Sequence, residues 1–430
     1  MKPSGPEAGG LTRYGALLLA GGMGMACSGY APPPWSLAFT LGGLALGWVA
    51  LGVAAWRVPR PGWRETVGWA IAARVPGLCT LPGLEDDFWR YLWDGHLLAR
   101  LGSPYGVAPA EWFGRTDVAS EFQGVLSGIN YPDLPTIYGP GVQGLFLISG
   151  AIAPGQLWPL KLLLVLAEFG LWCLLRRRLS ARGLLLLAWC PLALAETAFH
   201  AHFEIWPILL AVAAFCWAAD RRPMLAGFAL GMAIAARPFA VALLPFFATR
   251  TALAPALAGV AAAVGAAYGP VWLAGGIESH GAFAAGWEFN STGFALLQAL
   301  LPEGWARPSV VALFAFACLL LWWRDRGNRD LFPRADLLFG VLLLLSPVAN
   351  PWYALWLLPF AAARPQAWSW ALLVAIPLSY ITFGNLDGSG SFLHPPWVRP
   401  LEVGLVLLAA ALARRSGKLD RRTRAEGEGG

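Results

Sequence analysis

An all-α, polytopic membrane fold follows from three observations on the 430-residue sequence. Hydrophobic residues make up 57% and charged residues 13%, against roughly 45–50% and about 25% in ordinary soluble domains, and the mean hydropathy is +0.56. Apolar windows near the length of about 20 residues that crosses a hydrocarbon core recur from one end to the other. Most basic residues fall between these windows. So few charges cannot coat a water-soluble surface, and 23 Trp with 23 Phe exclude a disordered chain. The excess of 31 Lys and Arg over 25 Asp and Glu forms no basic patch with interleaved aromatics, so no nucleic-acid partner is expected. The six cysteines stand singly in apolar runs without CxxC spacing and read as small hydrophobes.

Taken in order, windows 13–30 and 36–56 precede a connection carrying Arg57, Arg60 and Arg64, and window 65–82 leads into a long polar segment, 83–139. Windows 140–153 and 156–176 follow, ending at Arg176, Arg177, Arg178 and Arg182. Windows 183–199 and 203–219 flank a histidine-rich link and end at Arg221 and Arg222; window 223–248 is interrupted by Arg237-Pro238 and ends at Arg250. Window 252–274 opens a second polar segment, 275–306. Window 307–323 returns to Arg324, Arg326, Arg329 and Arg334, 335–348 and 351–363 lead to Arg364, and 366–383 and 397–413 complete the series. Placing the arginine groups in the cytoplasm predicts about 11–14 spans, with both termini cytoplasmic. It makes 1–413 a single transmembrane domain, with 83–139 as a large extracytoplasmic loop containing short helices and 275–306 as a second outer loop. Residues 414–430 are then a basic cytoplasmic tail without fixed structure. No secretory cleavage pattern and no internal repeat is read.

Two places do not close. One crossing is needed between residue 139 and Arg176 where two windows stand, so one of them is expected to be partial. Window 223–248 is either a helical hairpin with Arg237 at its outer bend or one kinked helix with Arg237 at mid-membrane.

The first outer segment begins Glu85-Asp86-Asp87-Phe88-Trp89-Arg90-Tyr91-Leu92-Trp93-Asp94-Gly95. Adjacent carboxylates at a membrane boundary are costly unless solvated or paired. Asp86 or Asp87 can serve as a helix cap. Helical spacing also stacks Asp87, Arg90, Tyr91 and Asp94 on one face, where aromatic neighbours and a guanidinium tune a carboxylate as a base or ligand. Arginines inside apolar windows are functional candidates by default. Arg237 and Arg74 are such candidates, with Arg90 beside the acids; Arg237 alternatively forms a buried pair with a helix carbonyl or an acid, and Arg74 alternatively snorkels or pairs with the loop acids. His200, His202 and Glu204 gather at an outer boundary, as a headgroup or acceptor site or as a satisfied interfacial cluster. Two imidazoles and an acid supply a ligand set, which keeps a divalent metal as a third alternative, but i and i+2 diverge on a helix and no metal or other cofactor is indicated.

The stretch EDDFWRYLWDG, with GSPYGVAP at 102–109 and YPDLPTIYGPGVQ at 131–143, resembles the first extracytoplasmic loop of GT-C glycosyltransferases. The nearest likeness is to the family 87-type polyprenol-phosphate-mannose-dependent mannosyltransferases and their relatives. Weaker echoes are His200 to Glu204, Ala236-Arg237-Pro238, Trp287 to Ser291, and Ser346-Pro347 to Trp352-Tyr353, so the resemblance covers roughly 65–360. Glu85 departs from the relatives, where Ser is frequent, and two spans precede the one that leads into the loop.

The resemblance implies an inner-membrane enzyme that takes a hexose, mannose first, from a polyprenyl-phosphate carrier and inverts it onto an extracytoplasmic lipid or glycan acceptor. By position Asp87 is the first choice for the base and Asp86 the second, and Arg237, Arg90 and Arg74 are the candidates to bind the departing donor phosphate. Asp94, Tyr131, Tyr138, Gln143, Trp287, Glu288 and Asn290 are candidates for sugar or acceptor contacts, along with His200, His202 and Glu204. No nucleotide-binding signature is present. The alternative is a transporter or a flippase of lipid-linked sugars, which would be expected to show repeat-related halves with corresponding broken helices.

Overall fold

The computed structural model describes residues 10–273, 281 and 286–427, so part of the expected outer loop 275–306 lies outside the described residues. Among the described residues the chain is helical without a β-strand, apart from one isolated bridge between Phe289 and Val348. Among the described residues, four helices are long and apolar enough to cross a membrane: α2 (Trp35–Arg57), α7 (Trp158–Leu175), α13 (Leu253–Leu273) and α15 (Ala306–Asp325). The pair α8 (Ala181–Ala188) and Pro191–Phe199, bent by 41° where Pro191 interrupts the helix, is apolar enough for a fifth, broken span or a re-entrant loop. Six shorter apolar helical segments are also present among the described residues. This is a polytopic α-helical membrane protein, with large apolar side chains such as Phe316 and Leu319 on α15 and Leu407 and Leu408 on the last helix, α20 (Val398–Gly427), turned outward. The basic tail expected to lack structure instead continues α20 to Gly427.

Side-chain contacts bring the arginine-rich ends to one face. Arg176 lies 4.9 Å over the Trp63 ring, Arg178 pairs with Asp220 at 2.8 Å, and Arg250 and Arg364 pair with Asp325 and Asp330 at 2.5 and 2.6 Å. Phe215 contacts both Phe247 and Phe332 just inside that face.

Both open questions are resolved by packing. Helix α11 (Pro223–Ala236) stops at Arg237, whose backbone is extended (φ −139°, ψ 104°). The residue before a proline is pushed out of the helical region, and Pro238 follows. Arg237 then pairs with Glu204 at the start of α10 (Ile205–Ala219), whereas Phe247 reaches Phe215 near the end of α10. The segment is therefore a hairpin with Arg237 at its bend, away from the arginine-rich face. The partial window is the earlier one: α6 (Pro140–Ile152) has 13 residues, about 20 Å of helix. Its start at Gly139 is packed directly on the Ala235 and Ala236 carbonyls of the hairpin, and the Gly155 backbone beyond its end abuts Glu121 of the loop helix α5 (Ser120–Ser127). Both ends lie on the side opposite the arginines, so α6 belongs to the loop layer, and the crossing is α7.

Helix α4 (Asp87–Leu101) lies along α6, with Tyr91 stacked on Phe146 at 4.9 Å and Asp94 bonded to Gln143. It ends at Gly102 in the left-handed region (φ 76°). The N-terminus of α4, which carries the acids, is thereby held over the bundle.

Candidate active site

A cavity of about 1090 Å³ opens on the face opposite the arginines. Its walls include Glu85, Asp86, Asp87 and Arg90 from the start of α4, Asn130, Tyr131 and Tyr138 from the loop, and Arg237 from the hairpin bend. Trp287 and Glu288, Arg307, and Trp352, Tyr353 and Tyr380 close the other side. The bridge at Phe289, whose N–H donates to Pro347 and whose carbonyl accepts from Ala349, fastens 286–291 to the Ser346-Pro347 segment.

The acid cluster is not a capping device. Asp86 occupies the N-cap position of α4 but makes no side-chain cap bond; its carboxylate accepts from the Asn130 amide at 2.6 Å. Burial and then the neighbouring Asp87 charge push its pKa up to about 6, against the restraint of Asn130. Glu85 is raised well above the ordinary carboxylate range by burial first and then by the charges of Asp87, Glu196 and Asp86. Asp87 accepts a long hydrogen bond from the Tyr91 hydroxyl, 3.5 Å, and its charge reaches the phenols of Tyr131, Tyr138, Tyr353 and Tyr380 as well. A carboxylate at the first turn of a helix also faces the positive end of the helix dipole.

The expected face of α4 is present, and its second half is internal. Arg90 donates to Asp94 at 3.2 Å and to the Leu134 carbonyl, and Asp94 accepts from Thr136 and from Gln143. Asp94 and Gln143 thus brace the loop under the cavity rather than line it, and Arg90 reaches the cavity with its orientation fixed. Tyr138 is buried and Tyr131 open, the latter edge-on to Trp287 at 4.6 Å. Asn290 lies behind the wall, bonded to Glu402 at 3.0 Å.

Arg237 lines the cavity with its guanidinium clamped by Glu204, 4.2 Å over the Phe203 ring and 5.3 Å from Tyr353. Glu204 also accepts from Trp356 at 2.8 Å. Arg74 does not join the cavity: it is buried in a two-pronged ion pair with Glu168, at 2.6 and 2.7 Å, and over Trp172. The expected trio of His200, His202 and Glu204 is divided. Glu204 serves Arg237, and both imidazoles converge on Glu196, Nδ1 of His202 at 2.7 Å and of His200 at 3.4 Å. The i, i+2 argument fails because 200–202 is not helical; Ala201 has φ 65° and turns the two rings to one point. Glu196, Tyr380, Asn130 and Arg307 were not singled out from the sequence.

Fold and cavity together define a polytopic membrane protein with an acid-lined, arginine-bearing chamber on one face. Residues 298–415, just over a quarter of the 430-residue chain, match the family model described as the MptB C-terminal domain. That segment supplies the Arg307, Trp352, Tyr353 and Tyr380 wall, whereas the acids lie outside it. No curated protein and no solved structure matches the chain.

Proposed function

We propose that the chain is a GT-C-type membrane mannosyltransferase that takes its sugar from a polyprenyl-phosphate carrier, with Asp87 as the base. The carrying observation is that Asp87 and Arg237 line one chamber from different parts of the chain, a carboxylate and a fixed guanidinium with aromatic walls between them. The match to the C-terminal domain of MptB, a GT-C mannosyltransferase, supports the class independently of the acid motif.

An inverting transfer needs both charges. Asp87 removes the acceptor hydroxyl proton as that oxygen bonds to the sugar's anomeric carbon. The bond from that carbon to the carrier phosphate breaks, through an oxocarbenium-like state, and negative charge grows on the phosphate. Arg237, always protonated and held by Glu204 and Phe203, stabilises that charge. Arg90 stands beside the acids as a second cation. Tyr131, Tyr138 and Trp287 supply aromatic faces and hydroxyls for the sugar and acceptor. Asp86, oriented by Asn130, is the neighbouring carboxylate and the second candidate for the base. The arginine-rich face is cytoplasmic under the positive-inside rule, which puts the chamber at the outer leaflet of the inner membrane, within reach of a lipid or glycan acceptor. Arg237→Lys tests the phosphate role: it should weaken use of the donor more than of the acceptor, and an unchanged donor dependence would remove Arg237 from the site.

A further inference from the structure

Behind the chamber wall lies a second group of polar side chains that the transfer reaction does not use. Glu196 sits in a π-helical turn, Ala195–Phe199, with its side chain fully buried. The Nδ1 atoms of His200 and His202 approach one of its oxygens, and the Tyr380 hydroxyl lies 3.0 Å from both carboxylate oxygens and 3.0 Å from Nδ1 of His200. One ligand atom from each of Glu196, His200 and His202 falls within 4.8 Å of the others. His202 is stacked on Trp352 at 3.7 Å, and its Nε2 is buried without a hydrogen-bond partner among the described residues. Without an ion, Nδ1–H of His202 donates to Glu196; an ion between the two would take that place, with the ring proton on Nε2.

The way charge is balanced here sets Glu196 apart from five buried acids elsewhere in the fold. Glu168, Glu204, Asp94, Asp325 and Asp336 each face an arginine. The ion-pair partners of Glu196 are imidazoles. A buried carboxylate needs a positive partner, and a divalent cation supplies it.

We propose that Glu196, His200 and His202 bind a divalent transition-metal ion of the Zn²⁺ class, with the Tyr380 hydroxyl as a fourth oxygen donor. Two imidazole nitrogens with two oxygens suit zinc or cobalt, whereas magnesium and calcium prefer all-oxygen shells. The ion ties the 195–203 segment to the Ile376–Tyr380 turn, and Tyr380 lines the chamber from the far side. Its role is to fix that wall.

The test uses full-length, tag-free protein in detergent, stripped with a chelator and titrated with Co²⁺ and then Zn²⁺. Wild type should take up one equivalent of Co²⁺ with an intense tetrahedral visible spectrum, and Zn²⁺ should displace it and raise the melting temperature. X-ray absorption on the zinc form should show nitrogen and oxygen ligands. His202→Gln and Glu196→Gln should each weaken Co²⁺ binding at least about tenfold, and Tyr380→Phe should keep the ion while changing the visible band. Absence of stoichiometric uptake by wild type, a sulfur shell, or unaltered binding in folded His202→Gln would overturn the site. The wild-type measurements decide the matter even if a variant does not fold.

Discussion

Asp87→Asn is the substitution on which the catalytic reading turns. The exchange is nearly isosteric, and the hydrogen bond described for this carboxylate, from Tyr91 at 3.5 Å, can be kept by the amide oxygen. It also removes a negative charge from beside Asp86 and Glu85. Stability should therefore stay within about 1 kcal/mol of wild type or rise, the ordinary range for a change that breaks no packed contact. Catalysis should not survive in the same way. A positioned base contributes about 10²–10⁴-fold, or about 3–5 kcal/mol of barrier at 1.36 kcal/mol per tenfold. The assay is transfer from radiolabelled polyprenyl-phosphate mannose to extracted cell-envelope lipids, followed under single-turnover conditions with thermal unfolding measured on the same preparation. Loss of the neighbouring charge also lowers the proton affinity of Asp86, so the acid limb of any residual activity should move below about pH 6. A rate within threefold of wild type would refute the assignment of Asp87. A loss of rate matched by a collapse of the melting temperature would refute the claim that its role is chemical.

Three further outcomes are expected. Adjacent carboxylates titrate as a pair, so wild-type transfer should fall as pH drops through about 6, where Asp86 takes up a proton; Asn130→Ala removes the hydrogen bond that favours the charged form and should shift this limb to higher pH in a pH–rate profile. Gly95 lies against the Phe146 carbonyl with no room for a β-carbon, so Gly95→Ala should cost about 1–3 kcal/mol in thermal unfolding and depress transfer by displacing the acid end of α4. Arg74→Met leaves Glu168 buried without its partner and should destabilise by about 3–5 kcal/mol, while Arg74→Met combined with Glu168→Leu should recover most of that loss and retain transfer.

The acids, Arg90 and Tyr91 were legible because helical spacing is local: i, i+3, i+4 and i+7 face one way wherever the helix sits. The polytopic class was legible from composition, since the solvent of a chain is written in its bulk chemistry. Partners far apart in sequence were not. Arg74 shows itself as a charge in an apolar window, but Glu168, 94 residues on, carries no local sign of being its mate. Glu196 stands alone in an apolar run, and its link to His200 and His202 depends on a π-helical turn and a positive φ at Ala201, which spacing on an ideal helix argues against. The break at Arg237 was readable from Pro238; its outcome as a hairpin rested on Glu204 and Phe215, which only packing reveals. Helix α6 is apolar enough to resemble a span, yet packs as a platform for α4.

The central claim is that this chamber breaks a sugar–phosphate bond rather than moving an intact lipid. It is tested most directly by reconstituting the protein in vesicles carrying polyprenyl-phosphate mannose, doubly labelled in sugar and carrier, together with cell-envelope lipids. The sugar label should move to an acceptor while the carrier label appears as free polyprenyl phosphate, and Asp87→Asn should stop both. Passage of the intact doubly labelled donor between leaflets, with no transfer of sugar, would contradict it.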